Sequence, residues 1–278
     1  MKTLYISDLD GTLLTKEERI SEYSIGLINE MISDGLPFTY ATARSINTAL
    51  KATAGLHNDL PAIFYNGALI ANPVTGEILG CEAFDRSQTE YLISAIERYG
   101  VPPLVYARQN GKERVSFLVG KENEGMKRYL SRREGDPRLN PVSDKEELFQ
   151  GDIFYLTFIA DKTKLDAFYD EAKRGAHFSV IYTQETYQED YWLEIMPSGA
   201  TKASAALRLK SMLGFDRLVC FGDGVNDLAM FDVADEKYAV MNAHDDLKKK
   251  ATDVIGYCEE DGVAKWLAAH GCSVRRVE

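Results

Sequence analysis

Apolar positions along this chain come in short blocks, and the spacing inside each block sets the element it predicts. Residues 3–7 (TLYIS) make a compact apolar run that stops at Asp8, the signature of a buried strand. In the next block Ile25, Ile28, Met31 and Ile32 recur at helical spacing, with Ser21 placed as N-cap and Gly35 as the stop. Residues 36–43 (LPFTYATA) predict a second strand, 45–54 a second helix and 62–70 (AIFYNGALI) a third strand. Strands and helices that alternate without hairpin-length loops imply right-handed parallel crossovers and a doubly wound sheet.

The rhythm then changes. Asn-Pro and Thr-Gly turn signals in 71–79 predict a hairpin. A helix over 87–99, strands over 104–107 and 115–119, a helix over 122–132, a strand over 153–160, a helix over 164–173 and a strand over 178–184 follow. This strand-rich insert reads as a separate α+β module. The parallel rhythm resumes near WLEIMPSGATKASAALRLKSMLG, with a helix from Lys202 to Leu213, a strand in RLVCFGDG and short strands in KYAVMN and DVIG. The expected architecture is therefore α/β, a Rossmann-like doubly wound core from residues 1–82 and 188–278. An α+β cap domain at 83–187 interrupts it, and such a layout sets a cleft between two bodies.

At 278 residues, 45% hydrophobic and 27% charged, the chain has the balance of a globular protein with a sizeable core. Its 32 Lys+Arg against 43 Asp+Glu give a net charge of −11, which disfavours nucleic acid and anionic membranes as partners. No apolar run approaches a membrane span, and the first residues show no apolar leader. Cys81, Cys220, Cys258 and Cys272 form no CxxC, and the four histidines have no ligand spacing, so the expectation is reduced thiols in a cytoplasmic protein without a zinc site.

The chemistry lies at the strand ends, where open parallel sheets bind ligands. The first strand runs into Asp8-Leu9-Asp10-Gly11-Thr12, the second into Thr42-Ala43-Arg44, and a later strand into Gly222-Asp223-Gly224-Val225-Asn226-Asp227; the helix after the insert opens on Thr201-Lys202. Two like charges at a buried strand end are costly unless a cation or a reaction uses them. Asp8, Asp10, Asp223 and Asp227 are oxygen ligands suited to a small hard cation, magnesium above all. A calcium EF-hand is excluded, because its required Gly and Glu positions fall on Leu13 and Arg19 counted from Asp8, and on Leu228 and Ala234 counted from Asp223. Taken singly, each motif has an ordinary alternative: Thr42 as a helix cap, Lys202 as a solvated first-turn residue, Asn66-Gly67 as a plain turn, Arg44 as a loop brace. Their joint occurrence is what points to a site.

The set DxDGT at Asp8–Thr12, T-x-R at Thr42–Arg44, Lys202 after PSGAT, and GDxxND from Gly222 to Asp227 resembles the haloacid dehalogenase superfamily. The position of the insert, together with YNGALI and DGVAKWL, resembles the Cof-type phosphatases with a large α+β (type IIB) cap. The resemblance implies that Asp8 attacks phosphorus and becomes an aspartyl phosphate, and that Asp10 is general acid and then base. It implies that Gly11 bends the phosphate loop beside Leu9, that Thr42 and Lys202 hold the phosphoryl oxygens with Ala43 and Arg44 alongside, and that Asn66 and Gly67 face the cap. It also implies Mg²⁺ on Asp8, Asp10 (through its main-chain carbonyl) and Asp223, with Asp227 in or near that shell and Asn226 orienting it. Ala43, where relatives often have Gly, and YAVMNA, which lacks a glycine, depart from the pattern.

The implied activity is hydrolysis of small phosphorylated metabolites, sugar phosphates foremost. The rivals are a phosphomutase or phosphotransferase using the same aspartyl phosphate, and a noncatalytic metabolite-binding regulator. In the insert, Tyr182, Tyr187 and Tyr191 read either as packing or as a platform for a sugar face.

Overall fold

The computed structural model describes residues 1–174, 177–184 and 190–271. The first stretch of chain supplies β1 (Thr3–Ser7), α1 (Glu22–Ser33), β2 (Phe38–Tyr40), α2 (Ile46–Ala52), β3 (Ala62–Phe64), β4 (Leu69–Ala71) and β5 (Ile78–Cys81). The insert follows with α3 (Arg86–Tyr99), β6 (Leu104–Gln109), β7 (Lys112–Leu118), α4 (Glu124–Ser131), β8 (Leu139–Val142), α5 (Lys145–Leu148), β9 (Asp152–Ala160), α6 (Lys162–Arg174), β10 (Phe178–Gln184) and β11 (Tyr191–Pro197). The last stretch holds α7 (Lys202–Met212), β12 (Arg217–Gly222), α8 (Leu228–Val233), β13 (Glu236–Val240), α9 (Asp245–Lys250), β14 (Asp253–Ile255) and α10 (Gly262–His270).

The chain divides into two compact units, one of Met1–Gly80 with Thr201–Glu278 and one of Cys81–Ala200. In the first, a five-stranded sheet has the order β14-β13-β12-β1-β2, with every pairing parallel. The apolar run of β1 is explained by its central place: Leu4 and Ile6 are fully buried between β12 and β2. Local capping starts the helices where the sequence places them, with Ser21 accepting from the Ser24 N–H (3.0 Å) and Ser45 from Thr48 (3.3 Å).

The second unit is built on a six-stranded sheet, β10-β11-β9-β6-β7-β8. One face of it packs α3 and α6 around Leu92, Phe158, Leu165, Phe168 and Leu193. Tyr182 stacks on Tyr169 (centroids 4.7 Å apart) and lies 5.4 Å from Tyr191, so these two rings belong to packing, whereas Tyr187 lies outside the described residues.

Three expectations need correction. The single strand over 62–70 is a hairpin: Tyr65, Asn66 and Gly67 take φ of 50°, 53° and 109°, which turns the chain so that β4 runs back antiparallel to β3. The return to the core is not at 188, because β11 pairs antiparallel with both β9 and β10 and the first unit resumes at Thr201. Short β8 was not anticipated; it pairs parallel to β7. Cys81, Cys220 and Cys258 form no disulfide among the described residues, and Cys272 lies outside them. Among the described residues no helix is long and apolar enough to cross a membrane.

Candidate active site

β1 delivers Asp8 to its carboxyl end, where the Asp8 N–H donates to the Phe221 carbonyl (2.9 Å) of neighbouring β12 and the Ser7 hydroxyl donates to the Asp8 carbonyl (2.7 Å). β12 in the same way delivers the Gly222–Asp227 loop beside it. Lys202 arrives from a third direction. Thr201 caps α7 by accepting from the Ser204 N–H (3.1 Å), which fixes Lys202 as the first helical residue.

The Lys202 ammonium donates to Asp8 Oδ1 at 2.6 Å and to Asp227 Oδ1 at 2.7 Å, with all three side chains buried. The other Asp227 oxygen accepts from the N–H groups of Asp223 (3.1 Å) and Gly224 (3.0 Å). The Thr12 hydroxyl donates to Asp223 Oδ1 (3.1 Å), and one carboxylate oxygen each of Asp8, Asp223 and Asp227 lies within 4.8 Å of the others. A cation at a helix N-terminus opposes the helix dipole. Here the two buried carboxylates supply the compensation.

Burial pushes the Asp8 carboxyl above its ordinary value; the charge of Asp227 adds to this, and Lys202 pulls the other way. Burial and then Asp227 raise Asp223 as well. For Lys202, burial disfavours the charge, yet Asp8 and Asp227 outweigh it and hold the ammonium above its usual value. The ammonium therefore keeps its proton.

Three carboxylates against one ammonium leave a formal charge of −2 in a largely buried spot. Uncompensated buried charge is costly. The donor set, oxygen only and doubly negative, fits one hard divalent cation such as Mg²⁺.

Asp10 behaves differently from Asp8. Its half-exposed carboxylate turns to Arg44, whose Nε donates to both oxygens (2.9 and 3.1 Å) and whose Nη2 donates to Oδ1 (2.5 Å). Arg44 also reaches Glu18 (3.0 Å), so it braces the loop, and the hydrogen bonds to Asp10 raise its own already high pKa. The Asp10 side chain is thus outside the acidic cluster, which corrects its place among the four carboxylate ligands expected from the sequence; the resemblance implies a metal contact through its main-chain carbonyl instead. Gly11, at φ 72°, lets the loop pass so close to Asp223 that a Cβ would meet Oδ2 at 2.2 Å.

Thr42 is buried and its hydroxyl accepts from the Arg44 N–H (3.1 Å); Ser45, not Thr42, caps the following helix. Leu9 is buried in the first of these loops, whereas Ala43 is exposed in the second. Asn66 is tied to Asn226 by an amide contact of 3.4 Å, and Gly67 packs against the Thr201 carbonyl, which gives the Asn-Gly turn a place in the site. One residue was missed. Asn242 donates to the Gly11 carbonyl (2.7 Å) and accepts from the Cys258 N–H (3.0 Å), holding the Asp8–Thr12 loop from the side of β13. Its signal was the lone asparagine in YAVMNA, which spacing alone does not direct to Gly11.

The family model described as haloacid dehalogenase-like hydrolase matches residues 5–267. The chain is 27% identical over 287 residues to a 5-amino-6-(5-phospho-D-ribitylamino)uracil phosphatase of Bacillus subtilis, covering 96% of this chain and 97% of that protein. Its fold matches a Thermotoga maritima protein at a TM-score of 0.76 and 25% identity, over 97% of both chains. It also matches a subclass IIB sugar phosphatase of the superfamily at 0.69 and 22%, over 98% of this chain and 99% of that one. A match over nearly the whole length, with the DxDGT and GDxxND loops facing each other across Lys202, means that this chain belongs to the haloacid dehalogenase-like hydrolase family.

Proposed function

We propose that this protein is a Mg²⁺-dependent phosphatase of the cytoplasm that hydrolyses small phosphorylated metabolites, sugar phosphates foremost, through an aspartyl phosphate on Asp8. The observation that carries the proposal is the buried Lys202 ammonium shared between Asp8 and Asp227, beside Asp223. Two anions, a carboxylate and a phosphate, have to meet in this reaction, and fixed positive charge is the main means of letting them.

Mg²⁺, when bound by Asp8, Asp223 and Asp227 with the Asp10 carbonyl, supplies the positive charge that offsets this repulsion. An Asp8 oxygen bonds to phosphorus as the bond to the leaving alkoxide breaks. Asp10 gives that oxygen a proton and later takes one from the water that cleaves the acyl phosphate. To do so its carboxyl gives up at least one of the hydrogen bonds from Arg44. Lys202 stays protonated throughout and holds Asp8 in line. The Thr42 hydroxyl donates to a phosphoryl oxygen, and the tight loop through Leu9 and Gly11, with Ala43 opposite, frames the rest.

The substrate class is supported by the relatives: one is named for a phosphoribityl compound and another as a sugar phosphatase. The test is release of inorganic phosphate from a panel of phosphoesters with Mg²⁺, wild type against Asp8→Asn. Turnover by the wild type that is abolished in a folded Asp8→Asn variant is the expected result. Equal phosphate release by the two proteins would refute the assignment.

A further inference from the structure

Arg44 serves two carboxylates, and the phosphatase reading uses only one of them. Its Nη2 donates to Asp10 Oδ1 (2.5 Å) and to Glu18 Oε2 (3.0 Å), one hydrogen to each, while Nε stays with Asp10. Among the described residues no other carboxylate lies within ion-pair distance of this guanidinium. The main chain beneath it is fixed: the Arg44 N–H donates to the Thr42 hydroxyl (3.1 Å), and its carbonyl accepts from the Tyr65 N–H (3.1 Å). Only the side chain is left to redistribute between the two acids.

The second observation concerns Glu18 itself. The Thr15 N–H and hydroxyl both donate to the Arg19 carbonyl (2.9 and 3.0 Å), and the Glu18 N–H donates to the Thr15 carbonyl (2.9 Å). The Lys16 N–H donates to Glu259 Oε1 (2.6 Å), which pins this turn to the segment before α10. The turn sets Glu18 at φ +56°, a left-handed seat that suits glycine or asparagine. A glutamate there carries a conformational cost, and its side chain is largely exposed, so burial does not offset it. What the seat delivers is a carboxylate held against Arg44.

Proton delivery by Asp10 requires its carboxyl to leave Arg44. A largely buried guanidinium that loses its sole anion resists such an exchange. With Glu18 in place, Nη2 keeps one acid when the other departs. We propose that Glu18 is a positioning residue for the Asp10 step: it shares the Arg44 guanidinium with Asp10 and holds it while Asp10 turns to the leaving group. This role rests on the phosphatase chemistry proposed for Asp8 and Asp10. Glu18 and Arg44 exchange no proton; the one on Asp10 passes to the leaving oxygen as its bond to phosphorus breaks.

The leaving group reports on the role. A nitrophenolate departs without a proton, a phenolate departs less readily, and a sugar alkoxide needs the proton. The quantity measured is kcat/KM, which covers the steps up to that departure, with Mg²⁺ and p-nitrophenyl phosphate, phenyl phosphate or glucose 6-phosphate. Glu18→Gln is expected to stay within about twofold of wild type on the first and to fall about fivefold on the last, with phenyl phosphate between. Glu18→Gly suits the left-handed turn, so it should melt no lower than wild type and yet show the same graded loss. In an Arg44→Ala background Glu18→Gln should change nothing further, because its effect passes through the guanidinium. A loss equal on all three esters, wild-type kinetics in both Glu18 variants, or an undiminished effect in the Arg44→Ala background overturns the role of Glu18. Wild-type turnover alongside any of these results leaves the phosphatase reading standing; no turnover of any ester by the wild type refutes that reading, and this role with it.

Discussion

Substituting Gly67 by alanine is the sharpest test of how the ammonium group is positioned. Gly67 has a φ of +109°, and a Cβ there would lie 2.1 Å from the Thr201 carbonyl oxygen and 3.0 Å from the Lys202 nitrogen. Real Cβ atoms do not approach closer than 3.0 Å, so Gly67→Ala has to open this contact by at least about 0.9 Å. Both sides of the contact are main chain, and no side chain can swing away to absorb the change. Thr201 caps α7 and Lys202 follows it directly, so the displacement passes to an Nζ that sits 2.6 and 2.7 Å from its two partners. A shift near 1 Å removes at least one of those hydrogen bonds, and misplacement on that scale costs on the order of 100-fold in rate. That is about 2.7 kcal/mol of transition-state stabilisation. Positive φ adds a stability loss of about 1–2 kcal/mol. The assay is kcat/KM for p-nitrophenyl phosphate with Mg²⁺, alongside a thermal melt. Gly76→Ala is the control, since Gly76 also has a positive φ (+71°) but nothing within 4 Å of a Cβ; it loses stability and keeps its rate. A folded Gly67→Ala enzyme with wild-type kcat/KM would show that the approach of residue 67 to Thr201 does not position Lys202.

Lys202→Met removes the ammonium from between Asp8 and Asp227; single-turnover phosphate release should slow about 10²–10³-fold, and an unchanged rate sinks the assigned role. Mg²⁺ should raise the melting temperature of the wild type with increasing concentration, as a ligand of the folded state does, and Asp223→Asn should blunt the rise; equal shifts in both proteins would exclude Asp223 as a ligand. Burial raises the Glu194 carboxyl above its ordinary 4.5 despite a hydrogen bond with Tyr155, so the folded state holds that proton longer than the unfolded chain. The associated stability is fully present below pH 4.5 and is lost as pH rises through the folded value; Glu194→Gln should therefore melt progressively higher relative to wild type from acid toward neutral pH, and a gap independent of pH would contradict this.

What the sequence shows of this protein follows from how local each signal is. The parallel core was legible because β1, α1, β2 and α2 each carry their own period, cap and stop within a few residues. The hairpin at 62–71 was hidden because Ala62–Ala71 is apolar on both arms, and only the short turn through Tyr65, Asn66 and Gly67 breaks it. β11 was assigned to the wrong unit for a related reason. Its residues say that it is a buried strand, but pairing partners are a long-range property, and β9 and β10 compete with the core sheet on equal terms. The acidic loops were legible as motifs, while Asn242 was not, since its contact spans from residue 242 to Gly11.

The two aspartates of DLD meet the chain's first difficulty in geometry. In a continuing strand, residues two apart point to the same face, and Asp8 and Asp10 would repel each other there. The strand instead ends at Ser7, and the chain turns through Leu9–Leu13, with Gly11 left-handed (φ 72°). Asp8 is thereby sent inward to Lys202 and the other carboxylates, and Asp10 outward to Arg44. Identical side chains two residues apart acquire unlike surroundings: one buried against a fixed ammonium, the other half in water on a breakable ion pair. Separate environments are what allow two carboxyl groups to divide a reaction, one forming the covalent bond and the other carrying the proton. The glycine of DxDGT is therefore as much a part of the proposed chemistry as the aspartates, because a side chain at residue 11 would collide with Asp223 and push the two loops apart.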